Sequence, residues 1–325
     1  MQVHILDDWF DTLRSLPSFG RMAGHAVTVW TDHVDDIDTL AARLADAEAL
    51  VLFRERTPVT AGLLERLPKL RLISQRGPYP HVDVAACTAQ GVLLASNMSA
   101  GLPSYAAAEL TWALVLAAMR QITQQMASLR AGSWQMGVGR TLRGRTLGLY
   151  GYGRISGVVA GYARAFGMQV HVWGSPEAQA RARADGLHVP DSRSDFFAGC
   201  DVISLHVKLT PQTRGIITAD DLAQMRPASV LVNTSRAALI AQGALLAGLD
   251  AGRPGMAALD VFDIEPLTDP ADPLMAHHNV ICTPHIGYVT EDELDMQFGD
   301  IYDQINAYAA GAPIHVINPE ASPQG

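Results

Sequence analysis

The feature that most constrains the fold is a regular alternation of short apolar runs with stretches rich in Ala, Leu, Arg and Glu. Five such runs, Leu-rich or rich in β-branched residues, occupy positions 3–6, 26–30, 49–53, 70–74 and 92–95. Helical patterns lie between them, for example at 37–47 and 59–67. Strands that are joined through a helix run in the same direction. The first part of the chain is therefore predicted to form a parallel α/β sheet.

A second series of six apolar runs lies at positions 146–150, 169–173, 202–206, 230–233, 257–261 and 280–282. Six strands with interposed helices are typical of a dinucleotide-binding sheet. A long helix is predicted between the two series, from about Ser104 to Ala131, with Pro103 at its start. The last amphipathic pattern, at 291–310, is expected to return to the first sheet and pack on it.

These patterns predict an α/β protein with two Rossmann-like domains, each built on a parallel sheet. A chain of 325 residues is too long for one comfortable core, so two domains are expected. Residues 1–101 and 287–325 would form a discontinuous, flavodoxin-like substrate domain, and residues 102–286 a dinucleotide-binding domain. The active site is expected in the cleft between them.

Composition excludes several classes of partner. The net charge of −9 and the pI near 5.6 argue against a nucleic-acid surface. The most apolar stretch, 105–119, contains Glu109 and is short for a membrane span. The N-terminus lacks the basic start and apolar core of a signal peptide, and the three cysteines are far apart. We expect a cytoplasmic protein that binds neither nucleic acid, membrane nor metal.

A glycine-rich loop, Gly151-Tyr-Gly153-Arg-Ile-Ser156, stands between a predicted strand and a predicted helix. Gly151 would allow a tight turn, and Gly153 would let the backbone approach a pyrophosphate at the helix N-terminus. The motif usually has a third glycine where Ser156 stands, but serine is small enough for close helix–strand packing. A plain turn is the alternative for such a loop alone, whereas its place in a six-strand series predicts cofactor binding.

The end of the next predicted strand bears on the choice between NAD and NADP. In NAD sites an acid roughly 20 residues beyond the glycine loop binds the ribose hydroxyls, but here that position is Gly174. Without this carboxylate a 2′-phosphate is not repelled. Ser175 could donate to it and Arg181 or Arg183 could reach it, unless these arginines form only a solvated helix face. We expect NAD or NADP, with a lean toward NADP or dual use.

Three polar side chains, Arg236, Glu265 and His285, each follow an apolar run of the second series. Arginine can hold a carboxylate with two parallel hydrogen bonds. A histidine backed by a carboxylate can keep its proton at neutral pH and release it in a reaction. Singly, the three could be a surface arginine, a neighbour of a helix cap and a satisfied core histidine. Together they indicate chemistry on a small 2-oxo or 2-hydroxy acid.

Five motifs in order carry a resemblance to a known family. They read G-Y-G-R-I, D-V-I-S-L-H-V-K-L-T-P-Q-T-R-G, V-N-T-S-R, L-D-V-F-D-I-E-P-L and T-P-H-I-G. This pattern, which extends from about Ala49 to Pro319, resembles the D-isomer-specific 2-hydroxyacid dehydrogenases, a family that includes phosphoglycerate, glycerate/hydroxypyruvate and D-lactate dehydrogenases. The resemblance implies a discontinuous substrate domain and a homodimer built on the long helix after Pro103.

The resemblance also implies roles for individual residues. Arg236 would bind the substrate carboxylate and help to polarise the C2 carbonyl. His285 would be the general acid in reduction and the base in oxidation, while Glu265 would hydrogen-bond it, orient it and favour its protonated form. Asp260 would contact the nicotinamide amide. The implied cofactor contacts are Gly151, Tyr152, Gly153, Arg154, Ile155, Gly174, Ser175, His206, Val207, Thr210, Thr234, Ser235, Asp260 and Gly287.

The predicted substrate loop, Arg76-Gly77-Pro78-Tyr79, departs from the family pattern. Family members hold the substrate carboxylate with backbone N–H groups of a Gly-rich loop. Pro78 has no N–H, whereas Gly77 is expected to donate. Arg76 either points into the cleft or pairs with an acid such as Asp83. Tyr79 either closes over the substrate or packs on the following helix.

A fifth substrate-binding residue is predicted in the loop after the third strand. Arg54 lies in an Arg-x-x-Thr sequence that resembles a loop of phosphoglycerate-type members. It would meet an anionic group at the far end of the substrate. The alternative is a loop charge near a helix cap at Thr60.

The sequence therefore predicts an NAD(P)-dependent oxidoreductase that transfers a hydride between the cofactor and a small 2-oxo/D-2-hydroxy acid, such as glyoxylate or hydroxypyruvate. The alternative is a non-catalytic dinucleotide sensor that uses the same fold as an interaction module. An intact trio of Arg236, Glu265 and His285 favours the enzyme.

Overall fold

A computed structural model describes residues 1–98 and 105–321. Backbone contacts divide the chain into a first unit, Met1–Gly101 with Thr290–Gly325, and a second unit, Leu102–Val289. Gly287, at which we predict the return to the first domain, lies in the second unit because its N–H donates to the buried carboxylate of Asp260. The predicted junction at residues 101–102 and the helix start at Pro103 and Ser104 lie outside the described residues.

The first unit contains a five-stranded sheet in which every pair of neighbouring strands is parallel. Its order is β2-β1-β3-β4-β5, the flavodoxin-like arrangement. Each predicted run forms a strand, and the predicted fold class of this part is confirmed. The strands are β1 Gln2–Ile5, β2 Ala26–Val29, β3 Ala49–Val51, β4 Leu72–Arg76 and β5 Leu93–Asn97.

Three short helices connect these strands, and a side-chain oxygen caps each of them. They are α1 Ile37–Arg43, α2 Ala61–Leu64 and α3 Val84–Ala89. Asp36, Thr60 and Asp83 accept hydrogen bonds from backbone N–H groups in the first turns. Asp83 is therefore committed to the start of α3.

The second unit contains a parallel six-stranded sheet of order β11-β10-β9-β8-β6-β7. An isolated parallel bridge between His171 and His188 extends it beyond β7. All six predicted runs form strands, and the four strands inside the sheet are buried on both faces, as in other parallel sheets, whereas the two edge strands are partly exposed. The strands are β6 Thr146–Tyr150, β7 Gln169–Trp173, β8 Val202–Leu205, β9 Val230–Asn233, β10 Met256–Leu259 and β11 Val280–Cys282.

The prediction of one long helix before this sheet is wrong, because two helices are present: α4 Tyr105–Arg120 and α5 Ile122–Arg130. Gln121 separates them in a left-handed conformation, with φ of 53°. The carbonyl of Met119 accepts from Arg140 N–H at 2.7 Å. Gly139 lies so close to the break that a Cβ there would be 2.8 Å from Arg120 Cα. The Arg140 N–H thus takes the place of the helical N–H from which Met119 O would accept in a continuous helix.

Helices of the second unit cover both faces of its sheet, and the last helix of the chain belongs to the first unit. The second unit contains α6 Arg154–Ala165, α7 Pro176–Ala184, α8 Arg193–Gly199, α9 Ala219–Gln224, α10 Ala244–Asp250 and α11 Pro273–Ala276. The final helix, α12 Glu291–Ala309, packs on β4, where Ser74 Oγ donates to Ile301 O at 2.9 Å. Among the described residues, no helix combines the length and apolar character that a bilayer crossing requires.

Candidate functional site

The glycine loop lies at the carboxyl end of β6, where it meets the ends of β7 and β8. Gly151 has φ of 99°, which favours glycine, and its N–H donates to Trp173 O at 2.7 Å. A Cβ on Gly151 would lie 2.7 Å from both His206 O and Val207 Cγ1. The close approach of three strand ends therefore requires glycine at this position.

Gly153 and Ser156 shape the start of α6. Gly153 is the N-cap, and its N–H donates to Ser156 Oγ at 2.7 Å. Ser156 is buried, so the serine that replaces the third glycine closes the first helical turn without disturbing the packing. A Cβ on Gly153 would meet no atom within 4 Å. Open space at the positive end of a 12-residue helix fits a dinucleotide pyrophosphate.

The end of β7 is less open to a 2′-phosphate than the sequence suggests. Arg181 donates to Tyr152 O from Nε at 3.2 Å and from Nη2 at 2.7 Å. Arg181 therefore stabilises the backbone of the glycine loop. Ser175 caps α7 by accepting from Ala178 N–H at 3.3 Å. Its hydrogen bond to Glu177 lowers the pKa of that carboxyl, which places an anion shortly after Gly174.

The loop that follows β8 carries three of the predicted cofactor contacts. Burial lowers the pKa of His206 to about 4, so its imidazole is neutral at pH 7. Ser235 Oγ donates to Val207 O at 2.8 Å and ties the loop to the end of β9. Thr210 N–H donates to Thr213 Oγ1 at 2.7 Å and closes the next turn.

Arg236 follows β9 directly and is exposed. Asn233, the last residue of that strand, is buried. Its side chain makes two hydrogen bonds to the backbone of residues 235–236. Its Nδ2 donates to Arg236 O at 2.9 Å, and its Oδ1 accepts from Ser235 N–H at 3.0 Å. Thr234 Oγ1 lies 2.7 Å from Thr111 Oγ1 on α4. The backbone of Arg236 is thus fixed, and its exposed guanidinium donates from Nη1 to Ser235 O at 2.7 Å.

Glu265 and His285 are in direct contact, as the sequence predicts. Nδ1 of His285 lies 2.5 Å from Glu265 Oε2, and Glu265 Oε1 accepts from Phe262 N–H at 2.9 Å. Burial raises the pKa of Glu265, but the hydrogen bonds from His285 and Phe262 and the charge of Arg236 outweigh it, so this pKa is lowered overall. His285 Nε2 has no hydrogen-bond partner among residues 1–98 and 105–321.

The buried carboxylate of Asp260 holds the loop on both sides of His285. Oδ1 accepts from Thr283 Oγ1 at 2.5 Å and from Ile286 N–H at 2.9 Å, and Oδ2 accepts from Gly287 N–H at 2.9 Å. Burial raises the pKa of Asp260 against the effect of these hydrogen bonds. His285 itself has φ of 52°, a conformation that is costly for a non-glycine residue. Asp260 therefore stabilises the strained loop that presents the imidazole.

A partly buried ion pair, which the sequence analysis misses, supports the segment after Arg236. Arg193 Nε lies 2.6 Å from Asp221 Oδ1, and the same guanidinium donates to Ile216 O. The next residue, Ile217, donates its N–H to Leu239 O at 2.9 Å. The T-A-D-D sequence that caps α9 is readable as a capping box, but no sequence pattern pairs its acid with Arg193.

In the first unit, one expectation for the predicted substrate loop needs correction, and a second is met by a different partner. Gly77 is not a free donor, because its N–H already donates to Asn97 O at 3.1 Å. Arg76 pairs with an acid, as the second of its two alternatives expects, but the acid is Asp300 on α12 rather than Asp83, with Nε 2.9 Å from Oδ2. Tyr79 is partly buried and packs against the core cluster of the unit. Pro78 follows Gly77 and supplies no N–H.

Arg54 follows β3 in a left-handed conformation, with φ of 60°, and is half-buried. Thr60 caps α2, as the alternative interpretation of this loop requires. The neighbouring Arg56 lies over the rings of Trp9 and Phe53, at 3.8 Å and 4.1 Å from their centroids. The loop after β3 therefore carries two arginines, Arg54 and Arg56, at the carboxyl edge of the sheet.

The two glycines of the loop should respond differently to alanine. Gly151→Ala should lower the thermal midpoint of the protein by several degrees, because its Cβ meets the backbone of the next loop. Gly153→Ala should leave the midpoint within about 2 °C but weaken NADH binding at least about ten-fold, because its Cβ fills the space assigned to the pyrophosphate. Calorimetry and fluorescence titration measure the two effects. An unchanged NADH affinity in Gly153→Ala would contradict the assignment.

The chain is similar in sequence to known dehydrogenases. Residues 112–287 match the model of the NAD binding domain of D-isomer specific 2-hydroxyacid dehydrogenases. D-3-phosphoglycerate dehydrogenase of Mycobacterium leprae is 37% identical over 305 residues, which are 90% of this chain but 56% of that protein. The chain thus spans little more than half the length of this relative.

Two further relatives match over nearly their whole length. Glyoxylate reductase of Aeropyrum pernix is 33% identical over 307 residues, 90% of each chain. An oxidoreductase structure from Ralstonia solanacearum, provisionally assigned as a D-3-phosphoglycerate dehydrogenase, is 46% identical with a TM-score of 0.93 and covers 98% of this chain and 97% of its own. These relatives give no support to a non-catalytic sensor. The chain belongs to the D-isomer specific 2-hydroxyacid dehydrogenase family.

Proposed function

We propose that the chain is an NAD(P)-dependent D-2-hydroxyacid dehydrogenase that interconverts a small 2-oxo acid, such as glyoxylate or hydroxypyruvate, and its D-2-hydroxy acid. The observation that carries this proposal is the contact of 2.5 Å between His285 Nδ1 and Glu265 Oε2. It leaves the other imidazole nitrogen available for a substrate oxygen. Relatives that are named as a dehydrogenase and as a reductase support the same class of reaction.

His285 moves the proton in this reaction. Glu265 accepts the Nδ1–H hydrogen bond, which fixes the orientation of the ring and directs Nε2 to the substrate. In reduction, Nε2–H protonates the C2 oxygen, and in oxidation the neutral Nε2 accepts that proton back. A bound nicotinamide supplies or accepts the hydride at C2.

Arg236 orients the acid. Its guanidinium can bind the substrate carboxylate and withdraw charge from the C2 carbonyl as the oxygen becomes negative. The fixed backbone of Arg236 reduces the entropy lost when the substrate binds. Arg54, Arg76, Pro78 and Tyr79 remain our candidates for the rest of the substrate site, whereas the Gly77 N–H is occupied by Asn97 O.

The hydride carrier is NAD or NADP. The absence of an acid at Gly174 favours NADP or dual use, whereas the carboxylate of Glu177 and the engagement of Arg181 by Tyr152 favour NAD. Parallel steady-state measurements with NADH and NADPH decide between them. A ratio of kcat/KM above about ten in either direction defines a preference.

We further propose a homodimer in which a second copy covers α5. No residue of α5 is buried, and Met126 and Leu129 are 47% and 57% exposed. Trp134 and Val138, in the segment that follows, are 76% and 90% exposed. A run of apolar side chains of this extent is typical of an interface. We expect a cytoplasmic location.

Replacement of His285 tests the proton carrier. His285→Ala should lower kcat for glyoxylate or hydroxypyruvate reduction by about a thousand-fold or more, and should leave the dissociation constant of NADH within about three-fold, because the imidazole serves the chemical step. Stopped-flow turnover and fluorescence titration measure the two quantities. Turnover that is retained in full would refute the assignment.

Glu265→Gln tests the carboxylate. Because the pKa of Glu265 is lowered in the folded protein, its ionised form adds stability at neutral pH, and this contribution is lost as the pH falls below the ordinary value of 4.5. The variant should therefore be less stable than the wild type at pH 7, and the difference should shrink between pH 5 and about pH 3. Urea denaturation across this range measures it. A difference that grows toward low pH would be inconsistent with the shift.

Asp260→Asn separates two roles of this residue. If Asp260 positions His285, kcat should fall at least about ten-fold while the dissociation constant of NADH changes little, because both carboxylate oxygens serve the loop. If it contacts the nicotinamide amide, as the family resemblance implies, NADH binding should weaken in parallel. We expect the first result.

Two lysine substitutions on the proposed dimer surface test the dimer. Leu129→Lys and Trp134→Lys together should convert the dimer to a monomer, because each places an ammonium in the apolar surface that the second copy covers. Light scattering after size-exclusion chromatography measures the mass. Ile314→Lys, at an exposed apolar residue of the first unit, is the matched control and should remain dimeric. A monomeric wild type would overturn this part of the proposal.

A further inference from the structure

The carboxyl edge of the first sheet contains a buried carboxylate that joins three loops. Asp7 follows β1, the strand that lies between β2 and β3. Asp7 is 2% exposed, and its φ is 61°, a conformation that is costly for a non-glycine residue. A carboxylate that is removed from water in this way requires hydrogen-bond donors from the protein.

Each carboxylate oxygen of Asp7 contacts the loop of a different neighbouring strand. In the loop after β3, the buried hydroxyl of Thr57 donates to Oδ2 at 2.5 Å, and Arg56 Nη1 donates to the Asp7 carbonyl at 2.6 Å. In the loop after β2, His33 Nδ1 lies 2.8 Å from Oδ1. Asp7 therefore links the ends of three adjacent parallel strands, at the edge where open α/β sheets bind their ligands.

The two neighbours of His33 determine the charge of its ring. Nδ1 contacts Asp7, and Nε2 lies 2.9 Å from Oδ1 of Asp35. An ionised carboxylate only accepts hydrogen bonds, so both ring nitrogens must donate, and an imidazole that donates from both is the protonated form. Burial lowers the pKa of His33, but the hydrogen bonds to Asp7 and Asp35 and the charges of these residues outweigh it, so this pKa is raised overall.

His33 is the member of this cluster that can respond to pH near neutrality, because histidine is the side chain that changes charge in that range. Asp35 is 94% exposed, so water can replace it as a partner of the ring. Asp7 cannot exchange its partner in this way, since its carboxylate is buried. The other charged side chains around the pair, each with a partner of its own, are Asp8, Asp32, Arg43 and Arg56.

We propose that His33 is a pH-sensitive link at this edge: as an imidazolium it fixes Asp7 and, through Asp7, the loop after β3, and loss of one ring proton to solvent releases that loop. A neutral ring can donate to only one of its two carboxylates, and the lone pair of its other nitrogen then faces an anion. The buried charge of Asp7 becomes uncompensated, which destabilises the left-handed turn. This link lies within the first unit and does not depend on the proposed reaction.

Nitrogen NMR of protein with labelled histidine tests the charge of the ring. We expect both ring nitrogens of His33 to carry protons at pH 7, with a midpoint above the ordinary 6.5, and Asp7→Asn to lower that midpoint by at least about 1 pH unit. Asp8→Asn is the matched control and should leave the midpoint nearly unchanged, because Asp8 is equally buried but accepts from Leu13 N–H instead. A neutral His33 at pH 7 would overturn the proposal.

His33→Gln tests the effect on stability. Because the pKa of His33 is raised in the folded protein, its protonation adds stability below pH 6.5, and this contribution is lost as the pH rises through the folded-state value. The variant should therefore be less stable than the wild type at pH 6, and the difference should shrink toward pH 9. Urea denaturation measures it, and a difference that grows with pH would contradict the link.

Amide hydrogen exchange tests the release of the loops. The reporters are the N–H groups of Asp8 and Val59, which donate to Trp30 O and His81 O at 2.9 Å and 2.8 Å. After correction for the intrinsic effect of pH, both should exchange at least about ten-fold faster at pH 9 than at pH 6 in the wild type, whereas Leu93 in β5 should not change. Protection of Asp8 and Val59 that does not depend on pH would refute the coupling. Since the wild type supplies this result, it stands even if His33→Gln does not fold.

Discussion

The three hydrogen bonds accepted by the Asp260 carboxylate are the interaction on which the site of the second unit depends. Asp260 follows β10, and its partners are Thr283, Ile286 and Gly287, in the loop that follows β11. That loop places His285 against Glu265, although a left-handed backbone is unfavourable for histidine. One buried carboxylate thus offsets the strain of the left-handed residue, which explains how a short loop can hold an imidazole against Glu265.

The glycine loop and the substrate loop follow the same physical rule in the two units. At both places the chain leaves a parallel strand, and buried polar groups decide which backbone N–H groups remain available. Ser156 accepts the Gly153 N–H in the second unit, and Asn97 accepts the Gly77 N–H in the first. The backbone N–H groups that have no acceptor within the protein, rather than the sequence motif by itself, determine where an anion can bind.

Periodicity and motif order predict the strands, both sheets and the contact of Glu265 with His285, because these depend on local apolar patterns and on residues that follow strand ends. The break at Gln121 is not predictable in the same way, since it depends on the N–H of Arg140, which lies in the irregular segment after α5. The pairing of Arg76 with Asp300 joins residues more than 200 positions apart. Such contacts depend on tertiary packing that no local pattern encodes.

The interruption between α4 and α5 has a consequence for how this chain can change over evolutionary time. Residues of α4 are buried in the core of the second unit, whereas α5 contributes none to it. A substitution on α5 therefore alters the outer surface without a cost in core packing. The left-handed residue at Gln121 therefore separates a helix whose side chains are constrained by the core from one whose side chains are not, so that the outer surface can change in sequence while the packing of the second unit stays constant.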